Sequence, residues 1–172
     1  MIILLTVIAV LAVILISLYF NYNNREVALR KEAKAQEEKI TTVHDTMWKI
    51  LQQEAGVAKE YREAFEKIYP ELISGRYGKD GEGIIKFIQE SNPDFDTSLY
   101  KQLMQSIEVQ RSAFATSQQR MLDIIREHET LLETMPAKWF IKNKSRINYK
   151  VISSTYTNKV IETRVDDEVK LF

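Results

Sequence analysis

The chain opens on Ile2 to Phe20, an apolar run of 19 residues broken only by Thr6 and Ser17. No polar face divides this run. As a helix it extends about 28 Å at 1.5 Å per residue, close to the roughly 30 Å of a bilayer's hydrocarbon core. Tyr19, Phe20 and Tyr22 then form the aromatic belt expected where a span meets water. After them the pattern becomes periodic. Ala33, Ile40, Met47, Tyr61 and Ile68 recur in steps of seven, flanked by the rows Val43, Ile50, Val57, Ala64 and Leu51, Ala58, Phe65. Three adjacent rows make one stripe wide enough to face a core. With no proline and only Gly56 between Asn21 and Tyr69, the spacing predicts one helical arm over that length.

A second arm is predicted after Asp96-Thr97-Ser98, whose short polar side chains suit a helix start. Its main row is Tyr100, Ile107, Phe114, Met121, His128 and Met135, backed by Leu103, Ile124, Leu131 and by Met104, Ile125, Leu132. Pro136 should end it. Between the arms, the glycine-rich stretch from Ser74 to Gly83 reads as a turning tip. A short helix from Ile84 to Gln89 and an Asn92-Pro93 turn follow. From Tyr149 to Glu162 β-branched and small polar residues prevail, with Thr157-Asn158 as a turn, so this tail is read as irregular or as a β-hairpin.

The expected fold is all-α: a transmembrane helix that continues into an antiparallel bundle of long helices. The expected boundaries are an anchor over 1–20, a helical domain over 21–142 and a C-terminal extension over 143–172.

Charge sharpens this division. Lysine and arginine total 24 against 24 aspartate and glutamate, and all of them lie after Asn24. The charge-rich remainder has the composition of a water-soluble helical domain. Overall neutrality argues against nucleic acid as a partner, because binding phosphates needs a basic surplus. A cleaved signal peptide is disfavoured by the length of the run, the lack of a basic segment before it and the lack of a small-residue cleavage site. Arg25, Arg30, Lys31, Lys34 and Lys39 follow the run, and only Met1 precedes it. By the positive-inside rule the expected placement is a single-pass protein of a bacterial, or phage-infected host, plasma membrane. Its N-terminus lies outside and its domain in the cytoplasm.

Catalytic templates fail on spacing. His128-Glu129 begins like a zinc-protease motif, but Leu132 stands at the second histidine position. Five residues after Gly75 stands Asp80, where a phosphate-binding loop needs glycine followed by lysine. Asp94 and Asp96 lack the glycine and glutamate of a calcium loop. Without cysteine there is no thiol nucleophile and no disulfide. The expectation is no enzyme, with no catalytic, metal or cofactor-binding residues.

Two features stand out against the stripes. Glu54 interrupts the first arm, and Gln110, Arg111 and Gln118 interrupt the second. If Tyr69 meets Thr97 across the tip, Glu54 faces Ser112 and His44 faces position 122. A Glu54–Arg111 ion pair would then set the register of the arms. The other feature is Pro136 to Arg146, where Trp139, Phe140 and Ile141 lie among Lys138, Lys142, Lys144 and Arg146. The antiparallel return brings it back to the membrane end. Tyr19, Phe20, Tyr22, Trp139 and Phe140 are thus candidate membrane-interface residues. Two readings of Trp139 and Phe140 stay open: caps on the bundle core, or contacts with lipid.

The anchor followed by Tyr22-Asn23 and a charged long helix resembles the start of LemA-family proteins. That family's closing helix ends in a Tyr-Asn pair and, a turn or two later, Phe-Pro. Here His128-Glu129 and Met135-Pro136 stand in those places, and only the proline is kept. Asp45-Thr46-Met47-Trp48-Lys49-Ile50 occupies the region of the family's Asp-Leu-Ile-Pro-Asn-Leu signature. The tail, with Ser153-Ser154-Thr155 and Asp166-Asp167, is similar to a divergent phage and environmental branch. The resemblance implies an anchored helical domain with no catalytic residues. The leading functional expectation is therefore a membrane-anchored, non-enzymatic interaction or scaffold module. Its partners are the lipid bilayer and an unidentified protein, with homo-oligomerisation open. The alternatives are a phage-type membrane effector of host lysis or superinfection exclusion, and a membrane-proximal enzyme.

Overall fold

A computed structural model describes residues 1–74, 80–94, 99–153, 158 and 161–163. The described residues are helical or irregular, with no strand among them. Among the described residues the α-helices that frame the fold are, in chain order, α1 (Ile2–Glu54), α2 (Arg62–Ser74), α3 (Asp80–Ser91), α4 (Tyr100–Glu133) and α5 (Ala137–Phe140). A 3-10 turn, Lys59–Tyr61, leads into α2. The fold is all-α. Among the described residues, α1 is the one helix long and apolar enough to cross a membrane, and its apolar run packs against nothing.

The chain divides into two compact units. One comprises residues 1–39 and 119–149, the other residues 40–118 and 150–172.

In the first unit the start of α1 and the end of α4 run antiparallel, as the pairs Arg25–Glu127 and Glu32–Arg120 show. Leu29 and Ala33 of α1 and Met121, Ile124 and Leu132 of α4 are buried. Burying a side chain of this size contributes about 1.5–3 kcal/mol, alanine less. α4 ends before Pro136, which follows Met135 through a cis peptide bond. The one-turn α5 then lays Ala137 and Ile141 into a small core with Leu132, against which Tyr22 and Leu131 pack.

In the second unit the predicted stripe holds as far as Leu51, with Ile40, Val43, Met47 and Leu51 all buried. The expected continuous arm to Tyr69 does not form. Gly56 takes φ 66°, a left-handed conformation that ends a helix and that residues with a Cβ rarely adopt. A Cβ there would meet Asn92 Nδ2 at 2.8 Å. That same nitrogen donates to the Ala55 carbonyl at 2.9 Å, covering the helix end. Beyond the break Val57 and Phe65 of the predicted rows are still buried, Ala58, Tyr61, Ala64 and Ile68 are not, and α2 buries Tyr69, Leu72 and Ile73 as well. Pro70 lies inside α2, which continues past it to Ser74.

α3 buries Phe87 and Ile88 and begins earlier than the short helix predicted from Ile84. α4 contributes Leu103, Ile107 and Phe114 to the same unit. Gly75 to Lys79 of the predicted tip and the predicted cap residues Asp96, Thr97 and Ser98 lie outside the described residues. So do residues 154–157, 159 and 160 of the predicted hairpin. Its described residues up to Ser153 are irregular, and Ile161 to Thr163 are helical.

Candidate membrane-proximal site

The chemistry of the first unit concentrates where α5 meets α1. Asn23 lies one turn past Tyr19, and its amide serves both segments. Nδ2 donates to the carbonyls of Tyr19 and Phe140, each at 2.8 Å, while Oδ1 accepts from the Lys142 backbone N–H at 3.0 Å. One side chain thus satisfies backbone groups at the end of α5 that would otherwise need water. Beside it the rings of Tyr22 and Phe140 stack, with centroids 6.1 Å apart and planes 15° from parallel.

One turn further along α1, Glu26 is buried at 3% exposure and lies against His128, which is fully buried. Glu26 Oε1 is 3.4 Å from His128 Nε2 and also accepts from Arg30. Arg30 in turn donates to the Ser145 carbonyl, which ties the segment after α5 back to α1. The acidic residues near this end are engaged by arginines. Arg25 pairs with Glu127, and Arg146 reaches Glu133 at 2.6 Å and Glu129 at 3.4 Å. An open pocket of about 230 Å³ above this point is lined by Arg30, Ala33, Lys34, Glu37, Met121 and Arg146, among others. Its two arginines are already held by these carboxylates. Deeper along the same unit, burial raises the Tyr149 hydroxyl pKa above its usual range, and the charge of Glu37 adds to the effect.

The five expected interface residues separate into two kinds. Tyr19 and Phe20 are exposed and touch each other edge to face, with centroids 5.6 Å apart. Tyr22 and Phe140 are half-buried against one another. Trp139 turns the other way and is 74% exposed.

The expected Glu54–Arg111 register pair takes a different form. Glu54 Oε1 accepts from Ser106 at 3.1 Å, and Arg111 Nη1 lies 3.9 Å from Glu108 on its own helix. The expected register had put Ser112, not Ser106, opposite Glu54. That count assumed a plain hairpin between two arms, whereas α1 stops at Glu54 and α2 and α3 are inserted after it. Gln118 has a role that its polarity signalled without specifying. Its amide brackets Ile152, with Nε2 donating to the carbonyl at 3.2 Å and Oε1 accepting from the N–H at 3.0 Å.

The second unit carries its own polar network. His44 Nε2 lies 2.8 Å from Glu66, and Arg62 donates to Glu66 at 2.7 Å and to Asp45 at 3.3 Å. The Arg62 guanidinium also covers the Trp48 ring, 5.3 Å from its centroid. Hydrogen bonds from Arg62 and then His44 hold the Asp45 carboxyl below its usual range. Burial opposes the charge on Arg62, but its bonds to Glu66 and Asp45 outweigh that and raise its pKa. This network joins α2 to α1. Among the described residues no three histidine or acidic side chains are placed to hold a metal ion.

No protein-family model, no curated protein and no solved structure matches the chain.

Proposed function

We propose that this chain is a membrane-anchored, non-enzymatic helical module that presents its folded units to a protein partner at the bilayer surface. One observation carries the reading. The exposed apolar run of residues 2–20 continues without a break, as α1, into residues buried in both units. A helix continuous from lipid into a packed domain holds that domain at a fixed height, which a flexible linker does not. The packed interiors support a scaffold rather than a reaction centre, and in each unit an arginine and a carboxylate, Arg30 with Glu26 and Arg62 with Glu66, are engaged with one another. The surplus of Lys and Arg after the run supports a cytoplasmic domain. The likeness to LemA-family proteins at Tyr22-Asn23 supports an anchored helical domain.

The test uses the full chain in its native membrane. Crosslinking followed by capture from detergent-solubilised membranes should recover a stoichiometric protein partner, and extraction with alkaline carbonate should leave the chain in the membrane fraction. Single cysteines introduced at exposed positions of the domain, in a chain that has none of its own, should react only with a reagent that reaches the cytoplasm. Release by carbonate removes the anchor. Labelling from outside reverses the orientation.

A further inference from the structure

The end of the apolar run and the end of α4 are brought to one level by a single side chain. Asn23 Nδ2 bonds the carbonyls of both Tyr19 and Phe140, so α5 sits within about one helical turn of the point where the run ends. At that level α5 leaves one of its two large rings uncovered, beside the exposed Tyr19 and Phe20. Phe140 faces Tyr22 and Ile141 is buried, but Trp139, next before them in the chain, is 74% exposed. Met135, one turn before it, is exposed as well. An indole favours the boundary between hydrocarbon and water, where its ring is shielded and its N–H stays hydrated.

Charge points the same way. Lys138, Lys142 and Lys144 flank the ring, are exposed, and form no ion pair with another described residue. The acidic residues at this end, Glu127, Glu129 and Glu133, are held by Arg25 and Arg146. What remains around Trp139 is therefore a cationic surplus, complementary to anionic phosphates at a bilayer surface.

We infer that α5 is a second membrane contact: Trp139 seats in the headgroup layer of the bilayer that α1 crosses, with Lys138, Lys142 and Lys144 against anionic lipid. The inference rests on the reading of α1 as the anchor. Phe140 does not insert; with Tyr22 and Asn23 it supports the turn from which Trp139 projects. A lone membrane helix is free to rotate about its axis and to tilt. A second contact beside it removes the rotation and sets which face of the first unit looks away from the surface.

The test is Trp139 fluorescence in the full chain, reconstituted into vesicles of phosphatidylcholine and phosphatidylglycerol. The wild-type spectrum minus that of Trp139→Phe isolates this ring from the buried Trp48, so the core is not disturbed. Lipids brominated near the glycerol end of their acyl chains should quench most of the Trp139 emission, and aqueous acrylamide should quench it severalfold less than it quenches free tryptophan. Free quenching by acrylamide with none by bromolipid overturns the seat. Protection from both quenchers assigns the ring to a second copy of the chain and overturns it equally. Carbonate extraction of the same vesicles separates the two readings. A chain that stays in the vesicles with Trp139 in water loses only the seat, whereas a chain that washes out loses the anchor and the seat together.

Discussion

Glu26 of α1 and His128 of α4 lie 3.4 Å apart at almost complete burial, a polar pair in an otherwise apolar seam. Arg30 bonds the same carboxylate oxygen and keeps 28% of its own side chain in water. Removing one member of a buried charged group strands the others, at a cost of about 3–5 kcal/mol, whereas replacing the buried members with apolar residues is often neutral. Glu26→Ala is therefore expected to destabilise the chain by about 3 kcal/mol, the low end, because Arg30 can rehydrate. Glu26→Leu combined with His128→Leu should recover most of that loss. Thermal melts in detergent, followed by circular dichroism, measure both. A double variant no more stable than Glu26→Ala would mean that the pair is not the unit of the effect.

Asn23 makes three hydrogen bonds with one amide, and two of them hold the last residue of α5 and Lys142 just beyond it. Asn23→Ala leaves the Phe140 carbonyl and the Lys142 N–H to find water, at about 1–3 kcal/mol. Asn23→Asp should do little better, since a carboxylate accepts from Lys142 but cannot donate to either carbonyl. Hydrogen exchange checks this directly: the Lys142 amide should exchange faster in both variants, and α4 above Ile124 should keep its protection. Unchanged protection at Lys142 would remove Asn23 as the clamp.

The break after α1 depends on Gly56. An alanine there meets the cost of a left-handed backbone, about 1 kcal/mol, and places its Cβ on the Asn92 amide 2.8 Å away. Gly56→Ala should cost about 2 kcal/mol in all, of which Asn92→Ala in the same chain relieves only the steric part. The denaturation midpoint of the double variant should therefore fall between those of Gly56→Ala and the wild type once the effect of Asn92→Ala alone is subtracted. A Gly56→Ala chain as stable as wild type would show that α1 can run on through this position.

Much of the fold was legible because hydrophobic spacing reports directly on burial. Ile107, Phe114, Met121 and His128 form one row of α4, and all are buried. The seven-residue row of α1, read backwards from Ala33, falls on Glu26; its burial was implicit in the period but concealed by its charge. The end of α1 was harder to see. Apolar residues continue on both sides of Gly56, and a left-handed glycine leaves the count intact while changing the direction. Everything that depended on a continuous arm, including the partner of Glu54, shifted with it. Among the aromatic residues, the antiparallel return of the chain could place Trp139 and Phe140 together near the end of the apolar run. Only the Asn23 bonds and the Tyr22 ring distinguish the one that packs inward from the one that projects.

The Asp45–Arg62–Glu66 network gives a pH dependence with a definite sign. Asp45 is held below its ordinary range by Arg62 and then by His44, so the folded state favours its charged form more than the unfolded chain does. A lowered carboxyl pKa adds stability that is fully present above the unfolded value and is lost as pH falls through the folded one. The ordinary aspartate value is about 3.9, so the loss belongs to the acid limb below about pH 4. Asp45→Asn should lower the denaturation midpoint at neutral pH by a small amount, as befits an exposed carboxylate. The gap from wild type should close as the pH is lowered past that limb. Arg62 remains cationic throughout, so the gap does not close through loss of the guanidinium charge. A gap of constant size from neutral to strongly acid conditions would assign the effect of Asp45 to packing instead of charge.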